Sequence, residues 1–248
     1  MSGLLAVQAV SKRFGGLTAL DDVTFAAGEG RITGLIGPNG AGKTTLFALI
    51  SGFERPTAGR ILFRGADVTT TPAHLRASAG IARTFQIVQP FGRLTVLDNI
   101  AIGAHLRRRA RAEALAAAAA IADLVGLSAL ADRPAGSLTL AARKRLELAR
   151  ALATEPALLL LDEVLAGLNP SEIAGIVPVI RKVRDAGVTV VMVEHVMQAV
   201  MDLCEYLLVL SQGRLIAQGP PGEVTRDRAV IEAYLGEGAA ARLQARHV

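Results

Sequence analysis

The sequence predicts an α/β chain with a mainly parallel central sheet, an antiparallel β segment near its N-terminal end and an all-helical insert. Three observations carry this. Apolar runs of strand length at 32–36, 157–161 and 188–193 lack the polar alternation of a half-exposed strand, so each is read as buried on both faces. Helical stretches separate these runs, the order that produces parallel strands with helices on both faces. Between them, residues 95–155 offer helical sequence and no strand.

Taken in order, residues 4–10 and 23–26 read as strands of the opening segment, punctuated by Gly15-Gly16 and Gly28-Glu29-Gly30. Residues 32–36 form the next strand, and the helix after it is expected to end near Gly52, a residue suited to a left-handed C-terminal cap. Pro56-Thr57-Ala58-Gly59 is a turn before a strand over 60–63. Thr95 is placed to cap a helix over 96–106. The Ala-rich stretch 111–125, with five consecutive alanines at 116–120, is helical by propensity. A strand over 157–161, a helix over 171–185 stopped by Gly187 and a strand over 188–193 follow. Residues 206–211 and 214–219 read as a hairpin around Gln212-Gly213, and 229–235 as a closing helix. The expectation is one domain: a core formed by 1–94 and 156–236, a helical subdomain over 95–155 and a tail over 237–248.

The chemistry begins at Gly37-Pro38-Asn39-Gly40-Ala41-Gly42-Lys43-Thr44-Thr45. This fits G-x-x-x-x-G-K-[ST] between a strand and a helix, the layout of a phosphate-binding P-loop. Glycines let backbone N–H groups turn onto phosphate oxygens where side chains would block them. The following helix presents its positive dipole end. Lys43 is expected to reach the β- and γ-phosphates and Thr44 to give its hydroxyl to Mg²⁺. About 120 residues downstream, four leucines end in Asp162-Glu163. Acids at the C-terminal edge of a central strand stand where open α/β sheets bind ligands. Asp162 fits a carboxylate that holds Mg²⁺ directly or through water, and Glu163 is placed to orient or deprotonate an attacking water. The fold class is therefore that of a P-loop NTPase.

Composition sets limits. With 51% hydrophobic and only 4% aromatic residues, the core must be aliphatic. No run of about 18 uncharged apolar residues occurs, so no membrane-spanning helix is expected. No charged leader with an apolar core opens the chain, so no signal peptide is expected either. Cys204 is the single cysteine, which forbids an internal disulfide and reads as a small core residue. The +5 charge gathers in Arg107-Arg108-Arg109, Arg111 and a tail with Arg242, Arg246 and His247, read as a solvated helix end and tail. Scarce aromatics argue against nucleic acid as a partner, and the absence of N-K-x-D argues against guanine reading.

These motifs, in this order, resemble the ATP-binding-cassette (ABC) ATPases. The resemblance implies a stacking role on adenine for Phe14. It implies for Gln86, in Ala82-Arg83-Thr84-Phe85-Gln86, contacts to Mg²⁺ and the water and a link to a membrane subunit. His195, after Glu194, falls where a histidine contacts the γ-phosphate. A narrower similarity covers nearly the whole chain, to the longer of the two paired ATPases of branched-chain amino acid importers. It rests on the segments 14–20 and 80–86, on Ala166-Gly167-Leu168-Asn169-Pro170 and on Ala233-Tyr234-Leu235-Gly236.

The similarity implies ATP and Mg²⁺ as ligands and integral-membrane permeases and a second ABC ATPase as partners. A periplasmic or extracellular solute-binding protein is implied as an indirect partner. The location implied is the cytoplasmic, inner face of the cell membrane. One departure stands out. The family's L-S-G-G-Q loop, which binds ATP held by the other subunit, is Leu138-Thr139-Leu140-Ala141-Ala142 here, keeping only the hydroxyl of Thr139. Smaller departures are Val164, Asn169 and Val196. An ATPase of lipopolysaccharide export and a nucleotide-sensing module with little hydrolysis are the alternative expectations.

Overall fold

The computed structural model describes residues 3–235. The tail over 237–248, with its three basic residues, lies outside the described residues. The chain runs through β1 (Leu5–Phe14), β2 (Leu17–Ala27), β3 (Ile32–Ile36), α1 (Lys43–Ser51), β4 (Ala58–Phe63), β5 (Ala66–Asp67), α2 (Ala73–Ala79) and β6 (Ile81–Arg83). Next come α3 (Val96–Ala104), α4 (Arg111–Leu124) and α5 (Leu140–Leu152). It closes with β7 (Leu158–Asp162), α6 (Pro170–Asp185), β8 (Thr189–Val193), α7 (Met197–Leu203), β9 (Tyr206–Ser211), β10 (Arg214–Gly219), α8 (Pro221–Val224) and α9 (Arg228–Leu235).

Two sheets form. An antiparallel one has the order β2-β1-β4-β5, and a six-stranded one the order β10-β9-β3-β8-β7-β6, parallel throughout except at β10. The continuous apolar runs resolve into two faces with the two-residue period of a strand. Leu158, Leu160, Val191, Val193, Leu208 and Leu210 pack with the antiparallel sheet and α1. Leu159, Leu161, Val190, Met192, Leu207 and Val209 pack beneath the helices. The central sheet is thus sandwiched, which is why its strands carry no polar alternation.

Between β6 and β7 the helices pack through small residues. Ala114, Ala118 and Ala122 are buried at four-residue spacing on α4. A Cβ on Gly103 of α3 would stand 2.5 Å from the Arg150 carbonyl of α5, so only glycine permits that approach. The basic cluster after α3 is engaged locally: Arg108 pairs with Glu155 and Arg111 with Asp98.

The opening hairpin is longer than the sequence predicts. β1 continues past Val10 to Phe14, paired with Leu17 across Gly15-Gly16, although none of residues 11–14 is buried and so they show no apolar pattern. Register shifts along the β1–β2 pair, with Ala9 and Asp22 at positive φ, bend the hairpin. Short α2, β6 and α7 lie where no element is expected from the sequence. Their few buried residues give too short a period to read. Cys204 is buried, and its thiol is pushed up to about 12 by desolvation. Among the described residues no helix is long and apolar enough to cross a membrane.

Candidate functional site

Four parallel strands end on one edge of the sheet. The register pairs Leu35 with Val193, Asp162 with Val193 and Arg83 with Leu160, so Ile36, Val193 and Asp162 finish within one residue of each other and Arg83 two residues short of Asp162. The residues that follow them are the predicted site: Gly37 to Thr45, Glu194-His195, Glu163, and Thr84 to Gln86. Topology alone gathers positions up to 158 residues apart in sequence, from Gly37 to His195.

The loop after β3 has the backbone its glycines were expected to serve. Gly37 (φ 150°) could not hold a Cβ, which would lie 2.0 Å from the Leu210 carbonyl. Gly42 (φ 105°) would put one 2.7 Å from the Ala19 carbonyl. At Gly40 a Cβ would meet only open space, so here the left-handed φ of 77° is what favours glycine. Lys43 Nζ donates to the carbonyls of Gly37 (2.7 Å) and Pro38 (3.0 Å), closing the loop on itself. Burial lowers its pKa, opposed by Glu163 and Asp162.

A cleft of about 570 Å³ runs along this loop. Phe14, 44% exposed at the hairpin tip, forms one end, with Lys12 Nζ 4.6 Å from its ring centroid. Residues 39–45 form the floor, and Gln86, Glu163 and His195 the far wall. A neighbouring cavity brings Thr44, Gln86 and Asp162 together. Thr139 does not line the cleft: it is exposed and caps α5, its hydroxyl accepting from the Ala142 N–H at 3.3 Å. Asn169 caps α6 in a reciprocal capping box with Glu172, a task Asn performs as well as Asp.

The wall is built around Glu163. Gln86 Nε2 donates to Glu163 Oε2 at 2.7 Å, and His195 Nε2 lies 3.0 Å from Oε1. Glu163 has a left-handed backbone, φ 49°, which costs a non-glycine residue of order 1 kcal/mol and persists only when its surroundings fix it. Three bonds do so. Its N–H donates to the Val193 carbonyl (2.9 Å), and its carbonyl accepts from the Ala166 N–H (3.2 Å) and from Lys144 Nζ (2.8 Å). The buried ammonium of Lys144 therefore ties α5 to the backbone of Glu163; burial lowers its pKa while Glu194, Glu163, Asp162 and Glu147 oppose that.

Sequence reasoning assigned no task to three charged residues here: Lys144, Glu194 and Arg83. Glu194 accepts from the Leu165 N–H at 2.8 Å and so braces the turn after Glu163. Arg83 donates to Asp162 at 2.7 Å. Of the three only Glu194 had a signal in the sequence, a charge directly after a run that must be buried, since such a charge needs a partner.

Burial raises the Glu194 carboxyl from 4.5 to about 7. Between those values the folded chain holds a proton that the unfolded chain releases, so stability falls as pH rises through that window. The upper bound is roughly 3 kcal/mol. Glu194→Gln keeps the acceptor for Leu165 and is expected to flatten the stability profile between about pH 5 and 7, read from urea midpoints at each pH. An unchanged slope would assign the effect to another group, such as Glu147, which burial also raises.

A family model described as ABC transporter matches residues 20–166, and one described as branched-chain amino acid ATP-binding cassette transporter matches residues 214–240. The high-affinity branched-chain amino acid transport ATP-binding protein BraF of Pseudomonas aeruginosa is 38% identical over 250 residues, covering 94% of this chain and 98% of that protein. The lipopolysaccharide export system ATP-binding protein LptB of Escherichia coli is 36% identical over 234 residues, covering 94% and 97%. Among solved structures, the ADP conformation of MJ1267, an ATP-binding cassette of an ABC transporter, superposes with a TM-score of 0.86. It is 32% identical and covers 96% of this chain and all of that one.

Proposed function

The chain belongs to the ABC transporter family, and from that premise we propose that it is the ATP-hydrolysing subunit of an importer for branched-chain amino acids or related small solutes. The observation that carries the hydrolytic reading is the convergence of Glu163, Gln86 and His195 on a cleft floored by Lys43 and Thr44. The Phe14 ring stacks on adenine in this reading. The N–H groups of residues 39–45 and the α1 dipole hold the phosphates, with Lys43 leaving its loop carbonyls for phosphate oxygens. Glu163 takes a proton from water as the water oxygen attacks the γ-phosphorus, and ADP departs as phosphate forms. His195 and Gln86 hold Glu163 and the water in line.

Thr44, Asp162 and Gln86 offer a hydroxyl, a carboxylate and an amide oxygen on one cavity, an all-oxygen set that fits Mg²⁺. Mg²⁺ is commonly held by one carboxylate plus phosphates, so the lack of a three-residue His, Cys or acidic cluster among the described residues is in keeping. When bound, the ion supplies charge neutralisation at the β- and γ-oxygens.

Thr139 serves a second subunit. With two ATPases facing head to tail, the exposed α5 N-terminus of one meets the phosphate held by the other. The subunit sits on the cytoplasmic face of the membrane against its permeases. The groove beside Gln86, walled by exposed Phe53, Phe85 and Ile102, supports that docking. The similarity to BraF over nearly the whole chain and the match over 214–240 support import of branched-chain amino acids. LptB, almost as similar, supports lipopolysaccharide export as the second reading.

The test is ATP hydrolysis and solute uptake by the chain with its paired ATPase and permeases in liposomes. Uptake of a branched-chain amino acid coupled to hydrolysis is expected; hydrolysis coupled to no such solute turns the assignment toward export. In the same assembly Thr139→Ala is expected to lower turnover about tenfold, beyond the roughly 1 kcal/mol lost with the helix cap. Thr139→Ser, which retains cap and hydroxyl, should stay near the parent. Unchanged activity in Thr139→Ala would remove the trans role.

A further inference from the structure

Asp162 is almost fully buried, and a buried carboxylate requires a partner. That partner is Arg83, whose side chain is 9% exposed and whose Nη2 stands 2.7 Å from Asp162 Oδ2. The guanidinium is otherwise weakly held. Its Nε has no hydrogen-bond partner, and Nη1 makes one long contact, 3.4 Å, to Ser51 Oγ. Aromatic rings supply the rest of its support, with the guanidinium carbon 5.4 Å from the Phe85 ring centroid and 5.8 Å from that of Phe47. A cation held by one charged bond and two ring faces is retained by Asp162 more than by its own surroundings.

Arg83 also forms a common wall of two cavities. One holds Thr44, Gln86 and Asp162. The other is the apolar groove bounded by Phe53, Phe85 and Ile102. In that groove Phe85 stands edge-on to Phe53, ring centroids 5.5 Å apart and planes at 84°. Both rings are exposed, and Phe85 is at once a wall of the groove and a face on which the guanidinium rests.

We propose that Arg83 is a positioning residue that acts as the resident counter-ion of Asp162 and competes with Mg²⁺ for its carboxylate, with the Phe85 ring helping to hold the guanidinium in place. The inference rests on the reading of Asp162 as a metal ligand. In the nucleotide-free chain Arg83 neutralises Asp162 and keeps the sheet edge folded. Metal entry requires the guanidinium to yield or share an oxygen.

The experiment uses the purified full chain and a fluorescent ADP analogue, titrating Mg²⁺ and reading nucleotide affinity rather than hydrolysis. Arg83→Gln is expected to lower the half-saturating Mg²⁺ concentration about tenfold, the scale of one charged hydrogen bond lost from the competition. Arg83→Lys, which restores the competing charge, should return it toward the parent. A merely structural role predicts weaker binding instead. Phe85→Ala keeps the charge and loosens its support, so it should shift the same way by a few-fold; it stands in should Arg83→Gln fail to fold. Asp162→Asn is the control and should remove the Mg²⁺ dependence. If it does so while Arg83→Gln, or Phe85→Ala in its stead, leaves the Mg²⁺ requirement unchanged or higher, the inference is overturned and the metal reading stands. If Asp162→Asn retains full Mg²⁺ dependence, the metal reading falls and the inference with it.

Discussion

Glu163→Gln is expected to bind ATP as tightly as the parent chain and to hydrolyse it about 10² to 10⁴ times more slowly. The substitution keeps the side-chain length and one acceptor oxygen, so Gln86 and His195 can still hold it after an amide flip. It removes the one property hydrolysis needs, a lone pair able to take the proton of water. The geometry makes the assignment specific. Among the described residues Glu163 is the one carboxylate that touches both Gln86 and His195, while Asp162 is committed to Arg83. Equilibrium ATP binding and single-turnover phosphate release, measured side by side, separate the two effects. Parental turnover in the variant would take the base role from Glu163. Loss of ATP binding would mean that the carboxylate is part of the cradle instead.

What the sequence made legible, and what it did not, divides by the range of the interaction. Strand β3 was read to the residue and β8 to within one, because a strand buried on both faces carries no charge and no polar alternation, only Thr33 and Thr189 interrupting the apolar residues. Gly52 was read as the end of α1 because a left-handed cap needs glycine, and its φ is 81°. Asp162 and Glu163 were legible because acids after four leucines must lie at a strand end. Arg83 and Lys144 were not, since each acts on a partner far along the chain, 79 residues away for Arg83 and 19 for Lys144. The left-handed turn at Glu163 was equally hidden: nothing local calls for positive φ in a glutamate, and the bonds from Lys144 and Ala166 and to Val193 that fix it are tertiary. The tip of the β1–β2 hairpin, residues 11–14 and 17–19, escaped for the opposite reason, being held by backbone pairing with no buried side chain to pattern it.

Arg76→Met is expected to cost about 3–5 kcal/mol of folding stability, the scale of a broken buried charged network. Arg76 is 1% exposed and, among the described residues, has no carboxylate in contact and finds only backbone carbonyls as acceptors. Nη1 donates to Leu49 (2.6 Å) and Ile50 (2.8 Å), Nε to Thr71 (2.8 Å) and Nη2 to Thr69 (3.0 Å). Leu49 and Ile50 lie in the last turn of α1, where helix carbonyls have no intrahelical partner and where a cation opposes the negative dipole end. Burial lowers the Arg76 pKa from 12.5 to about 10, so it remains charged at neutral pH. Methionine fills the space and supplies no donor, stranding the carbonyls of Ile50, Thr69 and Thr71 at about 1–3 kcal/mol each before water relieves some of them, while Leu49 keeps the Gly52 N–H at 3.3 Å. Arg76→Lys should recover only part of the loss, because three hydrogens on one nitrogen cannot reach acceptors spread on both sides of a planar fork. The consequence for function follows from the helix itself. α1 begins at Lys43 and ends against Arg76, so fraying its far end is expected to weaken ADP binding at elevated temperature before the chain unfolds. Urea midpoints with and without ADP check both parts. A loss under 1 kcal/mol would mean that the carbonyls find other donors and that Arg76 is not what closes the helix.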